Sequence, residues 1–155
     1  MNIAETAVRM LEEAKDAIRA NMASKNINAS GRTSASLRVV RDFGSVALVI
    51  GGTGEKTAPL ETLEVGRPGG AVPKGFYQII KEWSRDKGIT FTNERQRSTF
   101  AYFTAKKIKE EGTIRHHTPV DVYTSVVLET ADRLKKDFAV EVTKQVHDAI
   151  FGIVK

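Results

Sequence analysis

The spacing of apolar and polar positions changes along the chain, and each change marks a different predicted element. Over residues 3–23 the apolar side chains recur every three or four positions, which places them on one face of a helix. They are Ile3, Ala7, Met10, Leu11, Ala14, Ile18 and Met22. The pattern predicts an amphipathic helix that ends near Ala23, because the small polar residues that follow compete with helical hydrogen bonding.

A β-hairpin is predicted at residues 36–51. Two β-branched runs flank Asp42-Phe43-Gly44-Ser45, which has the composition of a tight turn. The second run, 46–50, is apolar at every position, so both faces of that strand need cover. We expect the first helix to cover one of them.

Glycine and proline dominate residues 51–75, which are predicted to form a long loop. Seven of the 12 glycines and three of the four prolines lie there, around an apolar island at 58–65. Loops of this length in a compact domain usually carry a function or stay partly disordered. We expect an interaction loop, and a plain flexible connector is the alternative.

Two central helices are predicted downstream of this loop. The first runs from Phe76 to a C-cap at Gly88, and the second from an N-cap at Thr92 or Asn93 to about Glu111. Their apolar positions are Phe76, Ile79, Ile80 and Trp83 in the first helix and Phe100, Phe103, Thr104 and Ile108 in the second.

A C-terminal helix is predicted at about residues 130–153. Its apolar face consists of Leu134, Phe138, Val142, Val146, Ala149 and Ile153. The segment 121–128 before it contains the β-rich run 122–127, which fits a strand as well as a helix. The predicted fold class is therefore α+β. A single domain, 1–155, has an N-terminal helix packed on a small antiparallel β-sheet, followed by the glycine-rich loop and two or three further helices.

Composition and charge narrow the classes of protein. The chain has no cysteine, so disulfides and thiolate metal sites are excluded. Its 24 basic and 19 acidic residues give a net charge of +5, which permits contact with nucleic acid without requiring it. The first residues lack the pattern of a secretory signal, and no apolar run approaches the length that crosses a bilayer. We therefore expect a soluble protein that stays where it is made and has no membrane partner.

No catalytic, metal or cofactor site is predicted. Residues 51–57 only superficially resemble a phosphate loop, because Glu55 separates Gly54 from Lys56. His116 and His117 are neighbours whose side chains point apart, so we do not expect them to share a metal ion. The protein is predicted not to be an enzyme. The alternative, an unrecognised site in loop 51–75, would need a ligand that protects the protein against thermal unfolding.

A basic stripe is predicted on the second central helix. Spacings of four, three, four and three place its members on one face, and they are Arg95, Thr99, Tyr102, Lys106 and Lys109. Basic side chains around an aromatic ring can follow a phosphate backbone. Arg95, Lys106 and Lys109 are therefore candidate contacts to nucleic acid, although an ordinary solvated helix face is the favoured interpretation.

Several short blocks, taken in order, resemble a known family. The blocks lie at 28–33 leading into Ser36-Leu37, at 63–67 with a Leu-Glu-x-Gly core, at 79–83 with 87–89, at 105–113 and at 121–126. Together they cover roughly residues 1–130 and are similar to the small neck proteins of tailed bacteriophages, the head–tail connector and tail-completion proteins of long-tailed phages. Each block alone is weak, and their order carries the resemblance.

The resemblance implies a non-catalytic virion protein. Such a protein forms a ring of identical subunits between portal and tail, around the channel through which DNA passes. Its partners would be itself, portal, head-completion or tail proteins and, non-specifically, DNA, in the virion and in the host cytoplasm during assembly. The matched Leu-Glu-x-Gly segment makes Leu63, Glu64, Gly66 and Arg67 candidate oligomer-interface residues, and Arg95, Lys106 and Lys109 become candidate channel-facing residues. A sequence-independent nucleic-acid-binding module is the alternative.

Overall fold

The computed structural model describes residues 3–27, 31–49 and 60–151. The fold is α+β, as predicted, with an N-terminal helix, a two-stranded antiparallel hairpin and further helices. In chain order the elements are α1 (Ile3–Ser24), α2 (Arg32–Ala35), β1 (Arg38–Asp42), β2 (Ser45–Val49), α3 (Leu60–Val65), α4 (Phe76–Asp86), α5 (Glu94–Glu111), α6 (Ile114–His117) and α7 (Thr124–Phe151).

Helix α1 forms where the pattern predicts it. Its buried residues recur every four positions and are Thr6, Met10, Ala14, Ile18 and Met22. Asn26 ends the helix in a left-handed conformation, with φ 51°, which asparagine tolerates better than most residues. The amide of Ile27 then bonds back to the carbonyl of Met22 at 2.9 Å, which turns the Ile27 side chain into the core.

The hairpin has the predicted turn and packs on α1. Asp42 pairs with Ser45, so Phe43 and Gly44 form a two-residue turn, and Gly44 supplies the positive φ of 83° that such a turn needs. Leu48 packs against the core, while Ala47 on the opposite face of β2 is exposed. Val49, on the same face as Ala47, is partly buried, and residues 50–59 lie outside the described residues.

The core lies where α1, the hairpin, α3 and α7 meet. Helices α1 and α7 run antiparallel, since Asn21 Nδ2 donates to the carbonyl of Val122 at 2.9 Å and Arg133 pairs with Glu13 at 3.0 Å. The buried cluster consists of Ile18, Met22, Ile27, Leu37, Leu63 and Val122. Leu63 reaches it because residues 60–65 form the short helix α3, where a loop was expected.

Helices α4 and α5 form a helical hairpin with the predicted ends. Asn93 is the N-cap of α5 and its side chain accepts from the amide of Gln96 at 3.0 Å, while Gly88 follows α4 with φ 68°. Ala101, which is fully buried, lies on the packed face of α5. The predicted apolar face was wrong at Phe103, which is 61% exposed. At about 100° per residue Phe103 points well away from Ala101, toward the solvent side.

Helix α7 settles the ambiguous segment before it. The helix begins at Thr124, so most of 122–127 is helical, and Val122 is buried in the turn that precedes it. The predicted apolar face holds for its first half, where Leu134 and Phe138 are partly buried. It was wrong for the second half, because Val142 and Val146 are exposed. Residue 153 lies outside the described residues.

Candidate assembly surfaces and nucleic-acid interface

Glu64 caps the start of α7 from inside the protein. Its carboxylate is buried, and one oxygen accepts from the amides of Val122 at 2.7 Å, Tyr123 at 3.1 Å and Thr124 at 3.1 Å. The other oxygen accepts from the Thr124 hydroxyl at 2.5 Å. Amides at a helix N-terminus have no partner within the helix, and the helix dipole favours a negative charge there. Glu64 supplies both the acceptor and the charge.

Burial and hydrogen bonding shift the pKa of the Glu64 carboxyl in opposite directions. Burial by itself raises the pKa of the carboxyl, because a low-dielectric interior penalises the charge. The hydrogen bonds from the Thr124 hydroxyl and from the backbone amides of Val122, Thr124 and Tyr123 outweigh burial and hold the pKa below its ordinary value. The group is therefore an ionised structural cap.

The Leu-Glu-x-Gly segment forms an internal junction. Leu63 packs into the core, and the backbone of Glu64 also accepts from the amide of Val120 at 3.0 Å. Leu63 and Glu64 therefore have little side-chain surface left for a neighbouring subunit. Gly66 is also buried, while Arg67 is only partly buried. The interface role of these four residues stays a prediction, and Arg67 is the member with a side chain to offer.

Residues 66–70 cross over the end of α5. The amide of Arg67 donates to Thr113 Oγ1 at 2.9 Å, and its carbonyl accepts from the Thr113 amide at 2.9 Å. The amide of Gly70 donates to the carbonyl of Lys109 at 2.7 Å. These bonds attach the α4–α5 hairpin to the end of α3, so residues 66–70 act as a structural strap. The interaction role of loop 51–75 stays a prediction.

Glycine is required at this crossing. A methyl group placed on Gly69 would lie 2.6 Å from the carbonyl oxygen of Glu110, and one placed on Gly112 would lie 2.6 Å from the carbonyl oxygen of Arg67. Both distances are too short for a real contact, so only glycine lets the two backbones approach this closely. We call residues 66–70 together with 109–113 the glycine crossing.

An open depression of about 490 Å³ adjoins the crossing, and Arg67 and His116 lie on its wall. The Arg67 guanidinium donates to the carbonyl of Ala71 and lies 5.5 Å from the centre of the Phe76 ring. The rings of His116 and His117 meet edge-on with their centroids 5.4 Å apart, so the expectation that they point apart was wrong, and His117 Nε2 lies 3.1 Å from the carbonyl oxygen of Glu111. In the described part of the chain no three His, Asp or Glu side chains are grouped to hold a metal ion.

The basic stripe of α5 lies in solvent. Arg95, Lys106 and Lys109 are exposed, and Lys106 Nζ is 4.0 Å from a carboxylate oxygen of Glu110. Tyr102 is 58% exposed, and its ring meets that of Phe103 edge-on with the centroids 5.5 Å apart. Phe103, which the sequence pattern assigned to the packed face, is therefore a second exposed aromatic ring beside the stripe.

The second half of α7 is the surface that the sequence pattern missed. Every residue from 142 to 150 is exposed. Its large apolar side chains are Val140, Val142, Val146 and Ile150, which are 50–70% exposed. An amphipathic pattern predicts that a helix will bury one face, but it does not say whether the covering surface belongs to the same chain.

Comparisons of the chain with known protein families, with curated proteins and with solved structures found no match. Within residues 3–27, 31–49 and 60–151, no helix is long and apolar enough to span a membrane. The candidate surfaces therefore rest on the geometry of this chain alone. They are the basic stripe with its aromatic pair, the surface around Arg67, and the second half of α7.

Proposed function

We propose that this protein is a non-catalytic structural subunit whose surface is completed by other macromolecules. The observation that carries the proposal is the distribution of large exposed apolar side chains over separate elements. Phe43 stands fully exposed at the tip of the hairpin, Phe103 is exposed on α5, and Val146 is exposed on α7. Aromatic side chains are enriched in protein interfaces, and contiguous exposed apolar surface, such as the Tyr102–Phe103 pair on α5 and the Val142–Val146 pair on α7, marks sites of association.

The particular structural role that we propose is a subunit of a homo-oligomeric ring in the neck of a tailed bacteriophage, joining the portal side of the head to the tail. The order of sequence blocks supports it, together with an N-terminal helix followed by a hairpin. Neighbours in a ring meet through two different surfaces of the same chain. Exposed apolar groups on the hairpin, α5 and α7 supply more than one such surface.

Removal of the protein from the assembling phage tests this role. A stop codon early in the gene is expected to leave DNA-filled heads and separate tails that do not join, and the gene supplied in trans restores joined particles. Electron microscopy of the lysates distinguishes the products. Normal joined particles without the protein would contradict the proposed role.

A second candidate function, sequence-independent binding of nucleic acid, is favoured by the aromatic pair on α5. Tyr102 and Phe103 present two exposed rings beside Lys106 and Lys109. Bases stack on such rings with little regard to sequence, and lysines neutralise the phosphates. In a neck ring the same stripe would face the DNA channel, so the two functions are compatible.

Charge reversal tests the stripe. Changing Arg95, Lys106 and Lys109 together to Glu is expected to weaken the salt dependence of DNA binding. The slope of the logarithm of the binding constant against the logarithm of the salt concentration should become shallower by about 0.7–0.9 for each phosphate contact that is lost. The matched control reverses Lys135, Lys136 and Lys144 on α7, which changes the net charge equally. Equal losses in both variants would show a general charge effect and sink the assignment to the stripe. Fluorescence anisotropy with labelled DNA at several salt concentrations measures both.

A further inference from the structure

Charged side chains from α4 and α5 converge on one carboxylate, and their charges do not balance. Lys81 Nζ lies 3.1 Å from a carboxylate oxygen of Glu94, the first residue of α5. Arg85 Nη2 lies 3.1 Å from each of the two oxygens, and Arg97 Nε lies 3.4 Å from one of them. We call Lys81, Arg85 and Arg97 the cation cluster. Among the described residues none of its members forms a salt bridge with a second carboxylate, so three cations share one anion.

Two members of the cation cluster are held in place by neighbours other than Glu94. The guanidinium of Arg97 lies 5.0 Å from the centre of the Phe91 ring, and its Nη1 donates to the hydroxyl of Ser84 at 3.1 Å. Ser84 is fully buried and donates in turn to the carbonyl of Lys81 at 2.7 Å. The side chains of Lys81 and Arg97 are only 19% and 16% exposed. A ligand meets cations that are already ordered, which lowers the entropic cost of binding.

The cation cluster keeps a surplus of positive charge. Hydrogen bonds from Lys81 and from Arg85 hold the pKa of the Glu94 carboxyl below its ordinary value, so this group is ionised and compensates one of the three cations. Cations that share one counterion repel one another, and partial burial strengthens the repulsion. A network that served only to hold α4 against α5 would be more stable with a second carboxylate.

The start of α5 adds to this positive potential. The amides of Glu94 and Arg95 have no acceptor among the described residues, and the N-terminus of a helix carries a partial positive charge. Arg95 and Arg97 lie within the first turn of α5, where the helix dipole disfavours cations. The cation cluster and the helix end therefore both favour an additional anion.

We infer that Lys81, Arg85 and Arg97 form a binding site for a doubly charged phosphate group, either the free ion or a phosphate monoester. Such a group carries about −1.5 to −2 charges at neutral pH, which matches the surplus, and guanidinium groups bind phosphate oxygens in pairs. Arg85 is the accessible member, with a side chain 51% exposed. The arginines and the lysine also carry more N–H donors than their bonds to Glu94 and Ser84 use.

Titration of the full chain with inorganic phosphate tests the site. Isothermal titration calorimetry at constant ionic strength, with chloride as the reference anion, is expected to give a dissociation constant of about 1 mM or less. Arg85→Gln is expected to weaken binding about tenfold or more, because it removes the accessible guanidinium. Glu94→Gln is expected to tighten binding several-fold, because it removes a like charge beside the ligand.

The matched control is Lys144→Gln on α7, which changes the net charge as Arg85→Gln does and is expected to leave the affinity unchanged. Circular dichroism establishes that each variant is folded. Equal weakening by Arg85→Gln and Lys144→Gln would show attraction by net charge alone and overturn the site. Weaker binding by Glu94→Gln protein, or no binding by either this variant or the natural chain, would identify the cation cluster as a structural network and overturn the inference.

Competition experiments separate the sources of phosphate. Phenyl phosphate, a monoester, is expected to displace inorganic phosphate from the natural chain. A short DNA duplex with hydroxyl ends contains only phosphodiesters, which carry one charge each, and is expected not to displace it. If the duplex displaces phosphate and binds Arg85→Gln protein more weakly than the natural chain, the cation cluster belongs to a nucleic-acid interface and the assignment to a doubly charged phosphate is overturned.

The phosphate site goes beyond the proposed function and fails independently of it. It uses neither the exposed apolar surfaces nor the candidate DNA contacts Lys106 and Lys109. Heads and tails that join without the protein would overturn the neck role and leave the phosphate affinity as measured. A chain that does not bind phosphate would overturn the site and leave the neck role standing.

Discussion

Glu64 shows how a charged side chain is accommodated inside this domain. Its carboxylate is buried but has hydrogen-bond donors on both oxygens, three from the backbone and one from the Thr124 hydroxyl. A buried charge is costly without partners, whereas a carboxylate at a helix N-terminus meets unpaired amides and a favourable dipole. One residue thereby links α3 to the start of α7.

Removing this cap is expected to destabilise the fold. Glu64→Ala leaves amides of the first turn of α7 without their acceptor and is expected to lower the free energy of unfolding by about 2–4 kcal/mol. Glu64→Gln keeps an acceptor and loses the charge, so we expect a loss of about 1 kcal/mol. Glu129→Ala, at an exposed position of α7, is the control and should change stability by less than about 0.5 kcal/mol. Urea denaturation measures these values, and equal effects of Glu64→Ala and Glu129→Ala would contradict the capping role.

The lowered pKa of Glu64 predicts a dependence on acid. The folded-state pKa lies below the ordinary 4.5, so the stability that the charge contributes is present above that value and is lost as the pH falls through the folded-state pKa. We expect the difference in unfolding free energy between the natural protein and Glu64→Gln to be constant above about pH 5 and to shrink below it. The exposed carboxyls of Glu13 and Glu94, whose pKa values are also lowered, are common to both proteins and cancel. If the difference in unfolding free energy between the two proteins stayed constant down to pH 3, the stabilising role of the Glu64 charge would be contradicted.

At the scale of elements, the glycine crossing decides how the α4–α5 hairpin is attached. Helices α4 and α5 pack on each other, and the strap at 66–70 holds the end of α5 through hydrogen bonds at Arg67 and Gly70. The attachment requires the two backbones to approach closely at Gly69 and Gly112, and a side chain at either position would prevent it.

Alanine substitutions at two helix-ending glycines test the crossing. Gly88 and Gly112 follow α4 and α5, both with positive φ, but only Gly112 faces a backbone within contact distance. We expect Gly88→Ala to cost about 1 kcal/mol from its backbone conformation alone. Gly112→Ala adds a clash with the Arg67 carbonyl and should cost about 3 kcal/mol or more. Thermal unfolding of the two variants provides the comparison, and equal costs would argue against a tight crossing.

At the scale of the whole molecule, packing is concentrated at one end of α7. The first half of this helix joins α1, α3 and the hairpin in the core, while the second half stands in solvent. The domain thus has a compact body and an apolar projection. Apolar surface of this kind is stabilised when a second surface covers it.

Self-association predicts a melting temperature that depends on protein concentration. If copies bind one another only when folded, mass action raises the apparent stability as concentration increases. We expect the melting temperature to rise by several degrees between micromolar and hundreds of micromolar protein, since about 1 kcal/mol shifts a domain of this size by roughly 2–4 °C. Val146→Glu protein should melt at one temperature throughout that range. A natural protein whose melting temperature is also constant would count against assembly of the free subunit.

Much of the element structure was predictable because it depends on local chemistry. The repeat of apolar residues in α1, the Asp42–Ser45 turn, the Asn93 cap and the glycine after α4 each act over a few residues, and each was confirmed. The helical start at Thr124 was not predictable, because β-rich residues were drawn into a helix by a cap from Glu64, which is distant in sequence. Local propensity yields to such tertiary contacts.

The sequence by itself determined the α+β class, the principal helices and the hairpin, because hydrophobic period and turn chemistry are local properties. Only the tertiary structure decided which apolar faces are covered. It buried Leu63 and Glu64 in a junction, turned Phe103 outward, and left Val142 and Val146 in solvent. A periodic pattern states that a face is suited to burial, whereas the covering surface depends on where distant elements, or other subunits, are placed.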